Sequence, residues 1–291
     1  MWIAATLIAS LAQTGRNAAQ MGLTARIGTM GATGVRFVFG LPFALLFLAM
    51  AALAGPVPVP DATVFGYAAL GAVAQVAATA LMLTAMRHRG FAVATALIKT
   101  EPVTLALMGW AMLGDALSPQ RALAILVATL GVLMASGRGW RRAAPGPALL
   151  AIGAGALFGL SAIGFRGAIL ALPEGGEVVR ATTVLAITLA LQTAMVGAWL
   201  AIADRAALRG MAAAWRESLG AGFLGALASQ FWFIAFALTP AANVRTLALV
   251  EIAFAAAVSR HRREAMSPTQ LAGMALILIG VAWLILAGAS G

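Results

Sequence analysis

Residues 97–120 read LIKTEPVTLALMGWAMLGDALSPQ, and residues 247–270 read LALVEIAFAAAVSRHRREAMSPTQ. Each carries an acid inside an apolar run (Glu101, Glu251), a second acid at the following turn (Asp115, Glu264), and then Ser-Pro (Ser118-Pro119, Ser267-Pro268). Serine before proline reads as a helix start: the hydroxyl caps the new helix, and proline fills the first turn, where its missing N–H costs nothing. The likeness reads as a repeat. It divides the chain into a first half over 1–137, a basic linker over 138–146 and a second half over 147–291. Gly15-Arg16 against Gly164-Phe165-Arg166 is a second echo at nearly the same separation.

Around these stretches the chain is overwhelmingly apolar, 62% hydrophobic with 10% charged residues. A spanning helix needs roughly 20 mostly apolar residues to cross a bilayer core of about 30 Å. Ten stretches meet that need: 3–23, 31–54, 64–86, 91–113, 119–137, 147–172, 177–203, 218–238, 241–259 and 267–288. The breaks between them are too short for a soluble domain. The predicted fold class is therefore an all-α integral membrane protein, with ten transmembrane helices arranged as two five-helix repeats. An odd number of spans per repeat turns the second half upside down, a recurrent design in secondary transporters. The first stretch does not read as a cleavable signal, because it lacks a basic leader and holds Arg16. There are no cysteines, which excludes thiol catalysis, disulfides and Cys-ligated metals. His88 and His261 lie in Arg-rich turns and read as solvated neighbours of the headgroups.

The net charge of +10 need not mean a nucleic-acid partner. Odd-numbered connections hold Arg26, Arg87, Arg89, Arg138, Arg141, Arg142, Arg205, Arg209, Arg216, Arg260, Arg262 and Arg263, whereas even-numbered ones hold Arg121 alone. The positive-inside rule places the odd connections in the cytoplasm and both termini outside. Trp2, Trp140, Trp199, Trp215 and Trp283 near span ends fit an aromatic belt. The lipid bilayer is the partner this charge implies, and a bacterial inner membrane is the expected location.

Ionisable groups inside a bilayer normally face a cavity or a partner. Gln13, Arg16, Asn17 and Gln20 recur at helical spacing on one face of the first span. They read as a cavity wall for polar substrate groups, or as interhelical hydrogen bonds that hold the bundle. Arg36, Arg180 and Arg245 read as gate residues, and Arg166 joins Arg16 as a candidate for an anionic group, since a guanidinium fork matches a carboxylate. Glu101 and Glu251 are the deepest acids, each about 15 Å along its span. They are candidates for proton coupling, or for static ion pairs with Arg16, Arg166 or Arg245. Lys99 and Thr95 share a face, where Lys99 contacts substrate or neutralises an acid from another span. Gln75, Gln230 and Trp232 complete the candidate substrate set. Pro42 and Pro102 inside spans allow kinks. No His, Asp, Glu or Cys cluster at metal-ligand spacing is present, so neither a metal, another cofactor nor a membrane-embedded enzyme is expected.

The ten-span layout, Arg36-Phe37 opening the second span, the Glu-Pro of the fourth, the Gly-Asp-x-Leu-Ser-Pro turn and the closing SPTQLAGMALILIGV together resemble the EamA-type drug/metabolite transporter superfamily. The resemblance implies a proton- or gradient-linked carrier, often an exporter, for small metabolites such as amino acids. Two departures stand out. Gln13-Thr14-Gly15-Arg16 replaces the usual Trp-Gly of the first span, and relatives commonly keep their termini in the cytoplasm. The reading from sequence is a secondary active transporter for small polar metabolites, amino acids or related zwitterions and anions, working by alternating access. A passive channel is the alternative.

Overall fold

The computed structural model describes residues 1–89, 97–136, 145–252 and 267–289, and among them every regular element is a helix. They are α1 (Trp2–Val38), α2 (Leu41–Ala52), α3 (Ala62–Arg89), α4 (Glu101–Leu113), α5 (Pro119–Ala135), α6 (Pro145–Ala171), α7 (Glu177–Ala203), α8 (Arg205–Ala213), α9 (Trp215–Leu238), α10 (Ala241–Ala248) and α11 (Pro268–Ala289). Among the described residues six stretches are long and apolar enough to cross a membrane: Met30–Ala52, Ala62–Met82, Ala148–Ala171, Glu177–Ala203, Trp215–Leu238 and Pro268–Ala287. The shorter α4 and α5 are also apolar. The predicted fourth and ninth spans extend into residues 90–96 and 253–266, which lie outside the described residues.

α1 is two arms rather than one rod. At Gly28 the backbone takes φ 71° and ψ 170°, a region that only glycine enters without strain. The Gln20 amide donates to the Ala32 carbonyl at 2.7 Å. Twelve residues of straight helix would separate those groups by about 18 Å. The second arm therefore folds back along the first, which explains how a single helical stretch contains the predicted first span and the start of the second. That second span is interrupted again at Phe39 and Gly40, and Pro42 lies in the first turn of α2. Pro102 opens α4 in the same way. Both prolines thus begin new helical segments, where a missing N–H is harmless.

The helix starts predicted at the Ser-Pro pairs are present. Ser118 caps α5 by accepting from the Arg121 N–H at 3.3 Å. Ser267 accepts from the Gln270 N–H at 3.3 Å, while Gln270 Oε1 accepts from the Ser267 N–H at 3.0 Å, a reciprocal capping box. α4 stops at Gly114, which is left-handed with φ 67°, and the Asp115 N–H closes back onto the Gly109 carbonyl at 3.1 Å.

The contacts sort into two compact units, residues 1–73 with 164–239 and residues 74–163 with 240–291. Each unit takes helices from both halves of the sequence. In the first, α1 packs chiefly against α9, and α7 packs against α2 and α9. Arg26, at the turn of α1, pairs with Glu217 at the start of α9 at 2.7 Å, so the first and seventh connections share one end of this unit. A methyl on Gly175 would lie 3.8 Å from Pro56 and Pro58, so the second and sixth connections also share an end. Gly164 and Gly167 let α6 approach Tyr67 and Gly71 of α3, where an added Cβ would come within 2.6 Å of the Gly71 nitrogen or the Tyr67 ring.

In the second unit α5 packs chiefly against α11. A Cβ on Gly131 would lie 2.6 Å from the Ile277 nitrogen and 2.7 Å from the Gly273 carbonyl oxygen. A Cβ on Gly280 would lie 2.6 Å from the Ala128 nitrogen and 2.8 Å from the Ala124 carbonyl oxygen. Residues 124, 128 and 131 correspond to 273, 277 and 280 by a shift of 149, so the contact is self-complementary, as at a two-fold axis. The order of contacts also makes the two helices antiparallel. The same shift relates two tight turns. Thr100 and Val103 N–H groups donate to the Leu97 and Thr100 carbonyls, both at 3.2 Å, while Leu249 and Ile252 N–H groups donate to Thr246 and Leu249 at 3.1 and 3.0 Å. These turns break the fourth and ninth predicted spans at matching places. A Cβ on Gly155 would lie 2.7 Å from the Ile98 carbonyl oxygen, so glycine there allows a close approach.

Gly131→Ala and Gly280→Ala should each lower stability in detergent by about 1–3 kcal/mol, and by similar amounts, since each drives a methyl into the facing backbone. Gly66→Ala and Gly220→Ala, where nothing lies within 4 Å of the added carbon, should be neutral or slightly stabilising in the same thermal-unfolding assay.

Candidate substrate site

Two residues of the polar stripe of the first span, Gln13 and Arg16, meet α9. Gln13 Oε1 accepts from the Trp232 indole N–H at 3.3 Å. Arg16 is buried, and its stem reaches α9 at Gly225. A methyl on Gly225 would lie 3.4 Å from Arg16 Cδ and 3.4 Å from Arg36 Cγ, so the two arms of α1 bring two arginine stems to one glycine. The Arg36 guanidinium also lies 5.2 Å from the Phe37 ring centroid. Gln20 holds the α1 turn through Ala32, as above. The side chain of Asn17 lies outside the described residues.

Below Gly225, α9 presents Gln230 and an aromatic group. The buried Gln230 amide donates to Thr182 Oγ1 at 2.7 Å, and Thr182 in turn donates to the Val178 carbonyl at 2.7 Å. Gln230 Oε1 is buried with no hydrogen-bond donor among the described residues. Trp232 stacks near Phe236 with centroids 6.4 Å apart, and Phe165 stacks on Phe233 at 4.8 Å. These rings pack against one another. Thr182, Thr188 and Gln192 on α7 are also buried polar groups of this unit. The sequence reading passed over them, although the threonines of 182–193 stand out within an apolar span.

Arg166 donates to the carbonyls of Phe236 and Thr239, the latter at 2.9 Å. Those carbonyls belong to the C-terminal end of α9, where a helix lacks intrahelical donors and carries partial negative charge. Arg166 is therefore tied to a helix end. Arg180 is half-buried in the first turns of α7, and its Nε is buried without an acceptor.

The remaining candidates belong to the second unit. Lys99 pairs with Glu251, and Arg245 Nε lies 3.2 Å from Glu101 Oε1. Each acid takes its cation from the other sequence half, and both pairs sit beside the interrupted turns. Gln75 is buried on α3, and Thr95 lies outside the described residues. Among the described residues no three His, Cys, Asp or Glu side chains group as metal ligands.

The two units differ in charge. The embedded cations of the second unit, Lys99 and Arg245, face Glu251 and Glu101. The acids of the first unit are Asp61, Glu174, Glu177, Asp204 and Glu217, all in connections or the first turn of a helix.

Residues 1–137 match the model of the EamA-like transporter family. The match covers 137 of the 291 residues, the first of the two sequence halves. No curated protein matches the sequence. A solved protein crystal structure superposes with a TM-score of 0.72 at 16% identity, covering 98% of this chain and 96% of the other, a likeness in fold. The match to a transporter family over 1–137 and the several helices long and apolar enough to cross a bilayer support an integral membrane protein.

The crossed pairs should behave as units. Glu101→Gln or Arg245→Gln alone leaves a charge without its partner and should cost about 3–5 kcal/mol of stability. The double variant should recover much of that loss in a double-mutant cycle read by thermal unfolding.

Proposed function

We propose that this protein is a secondary carrier for small solutes bearing a carboxylate or similar anionic group, with amino acids and related zwitterions as the leading class. The observation that carries the reading is the charge difference between the units. Arg16, Arg36 and Arg166 gather in the first unit, whereas the second holds two cation–acid pairs, and Arg16 and Arg36 bracket Gly225 on α9. Arginine suits a carboxylate through two parallel hydrogen bonds. The buried Gln230 Oε1, an acceptor without a donor, suits the ammonium of a zwitterion. Gln13, Asn17 and Trp232 belong to the same helices and complete the proposed site.

The carrier works by alternating access, with halves 1–137 and 147–291 as inverted repeats of five spans. The self-complementary antiparallel contact of α5 with α11 and the matched interrupted turns support that organisation. Glu101 and Glu251 serve as counter-charges. The opening of either pair is the step at which a proton could be exchanged, which would couple transport to the proton gradient. Export across a bacterial inner membrane, with both termini outside, agrees with the family resemblance in direction and with the arginine distribution in topology.

A ligand that binds the folded state raises its apparent stability. In a thermal-shift screen of the purified protein with amino acids and small carboxylates, a hit should be lost in Arg16→Gln, which should still insert and unfold cooperatively. The hit should survive in the Glu101→Gln/Arg245→Gln double variant. A hit unaffected by Arg16→Gln would remove that arginine from the site. Saturable counterflow in liposomes separates the carrier from a channel, which shows no trans-stimulation.

A further inference from the structure

We propose that α8 and the start of α9 form a binding surface for anionic phospholipid headgroups, with Arg205, Arg209 and Arg216 as the contacts. The sequence between the seventh and eighth spans reads as a connection, but residues 205–213 form a helix with two different faces. Its inner face is fixed to α1 by small residues. Ala207 Cβ lies 3.3 Å from where a methyl on Gly31 would stand, Met211 lies 3.5 Å from one on Gly34, and Ile27 reaches within 2.8 Å of one on Gly210. The helix is therefore a rigid shelf on the second arm of α1 and its turn.

The outer face is basic. Arg205 and Arg209 are exposed one helical turn apart, an arrangement in which like charges repel. Arg205 Nε donates to the Ala201 carbonyl at 2.8 Å and Arg209 Nε to the Arg205 carbonyl at 3.4 Å, which lays both stems along the helix. Among the described residues the terminal amino groups of both guanidinium forks have no acceptor, which leaves them for an external one. Arg216 is exposed beside Trp215, its guanidinium carbon 5.2 Å from the indole centroid.

The two carboxylates in this region are already engaged. Asp204 caps α8 by accepting from the Ala207 N–H at 3.0 Å, and Glu217 accepts from Arg26 at 2.7 Å. Among the described residues no acid pairs with Arg205, Arg209 or Arg216. Trp199, Ile202 and Trp215 are exposed around the same shelf, and aromatic side chains mark the headgroup level of a bilayer. Three arginines beside two exposed tryptophans match a phosphate diester above an acyl chain: the forks take the phosphate, and the rings and Ile202 take the upper hydrocarbon.

The proposal rests on the membrane location of the chain and not on the nature of its substrate. Native mass spectrometry of the full-length protein from mixed micelles of phosphatidylglycerol and phosphatidylcholine reads it directly. The wild type should retain phosphatidylglycerol in preference, and the preference should fall about fivefold per arginine replaced at low salt in Arg205→Gln, Arg209→Gln and Arg216→Gln. A triple Arg→Lys variant should keep most of the preference, which separates charge from folding. Inorganic phosphate at millimolar concentration should leave the lipid bound. Equal retention of the two lipids by the wild type, an unchanged preference in the triple Gln variant, or displacement by inorganic phosphate would overturn the proposal. None of these outcomes depends on transport, so they leave the substrate reading to its own test.

Discussion

A charge carried into hydrocarbon has to meet an opposite charge, a dipole or water, because its cost at the bilayer centre is several kcal/mol. This protein meets that demand in three ways. Lys99 and Arg245 meet carboxylates from the opposite half of the sequence. Arg166 meets the dipole of a helix end through the carbonyls of Phe236 and Thr239. Arg16 and Arg36 converge on a glycine of α9, their stems packed against that helix. The proposed function builds on that convergence.

The backbone faces the same demand and answers with glycine and proline. Gly28 reverses α1 so that the Gln20 amide can close across the turn. Pro42 and Pro102 begin helical segments, where no backbone acceptor is orphaned by the missing N–H. Gly131, Gly273 and Gly280 let α5 and α11 approach backbone to backbone. Close packing of this kind substitutes for the hydrophobic effect, which is absent between helices in lipid. The interrupted turns near Lys99 and Leu249 expose backbone beside the two ion pairs, so interruption and compensation occur together.

Much of this was legible in the sequence because lipid imposes length and composition directly. The all-helical class, the helix starts at Ser118-Pro119 and Ser267-Pro268, and the family resemblance all came from local pattern. The register of the repeat was only partly legible. The acids Glu101 and Glu251 lie 150 residues apart, whereas the turns and glycine contacts repeat at 149, so the acids are not matched positions. Ion-pair partners were harder still, because they lie about 150 residues away in the chain; Arg245 was one of three partners considered for the acids, and Lys99 was left open. The helix α8 was missed because its alanines and arginines give no long apolar run. Helical spacing put Gln13 and Arg16 on one face, and only the structure brings α9 against them.

The central claim is that the embedded arginines of the first unit hold the anionic group of the substrate. Counterflow in proteoliposomes with a transported amino acid and its carboxamide tests this most directly, since the two differ in that charge alone. The carboxylate should drive exchange, the carboxamide should not, and Arg16→Gln should abolish the distinction. Equal exchange by both compounds in the wild type would contradict the claim.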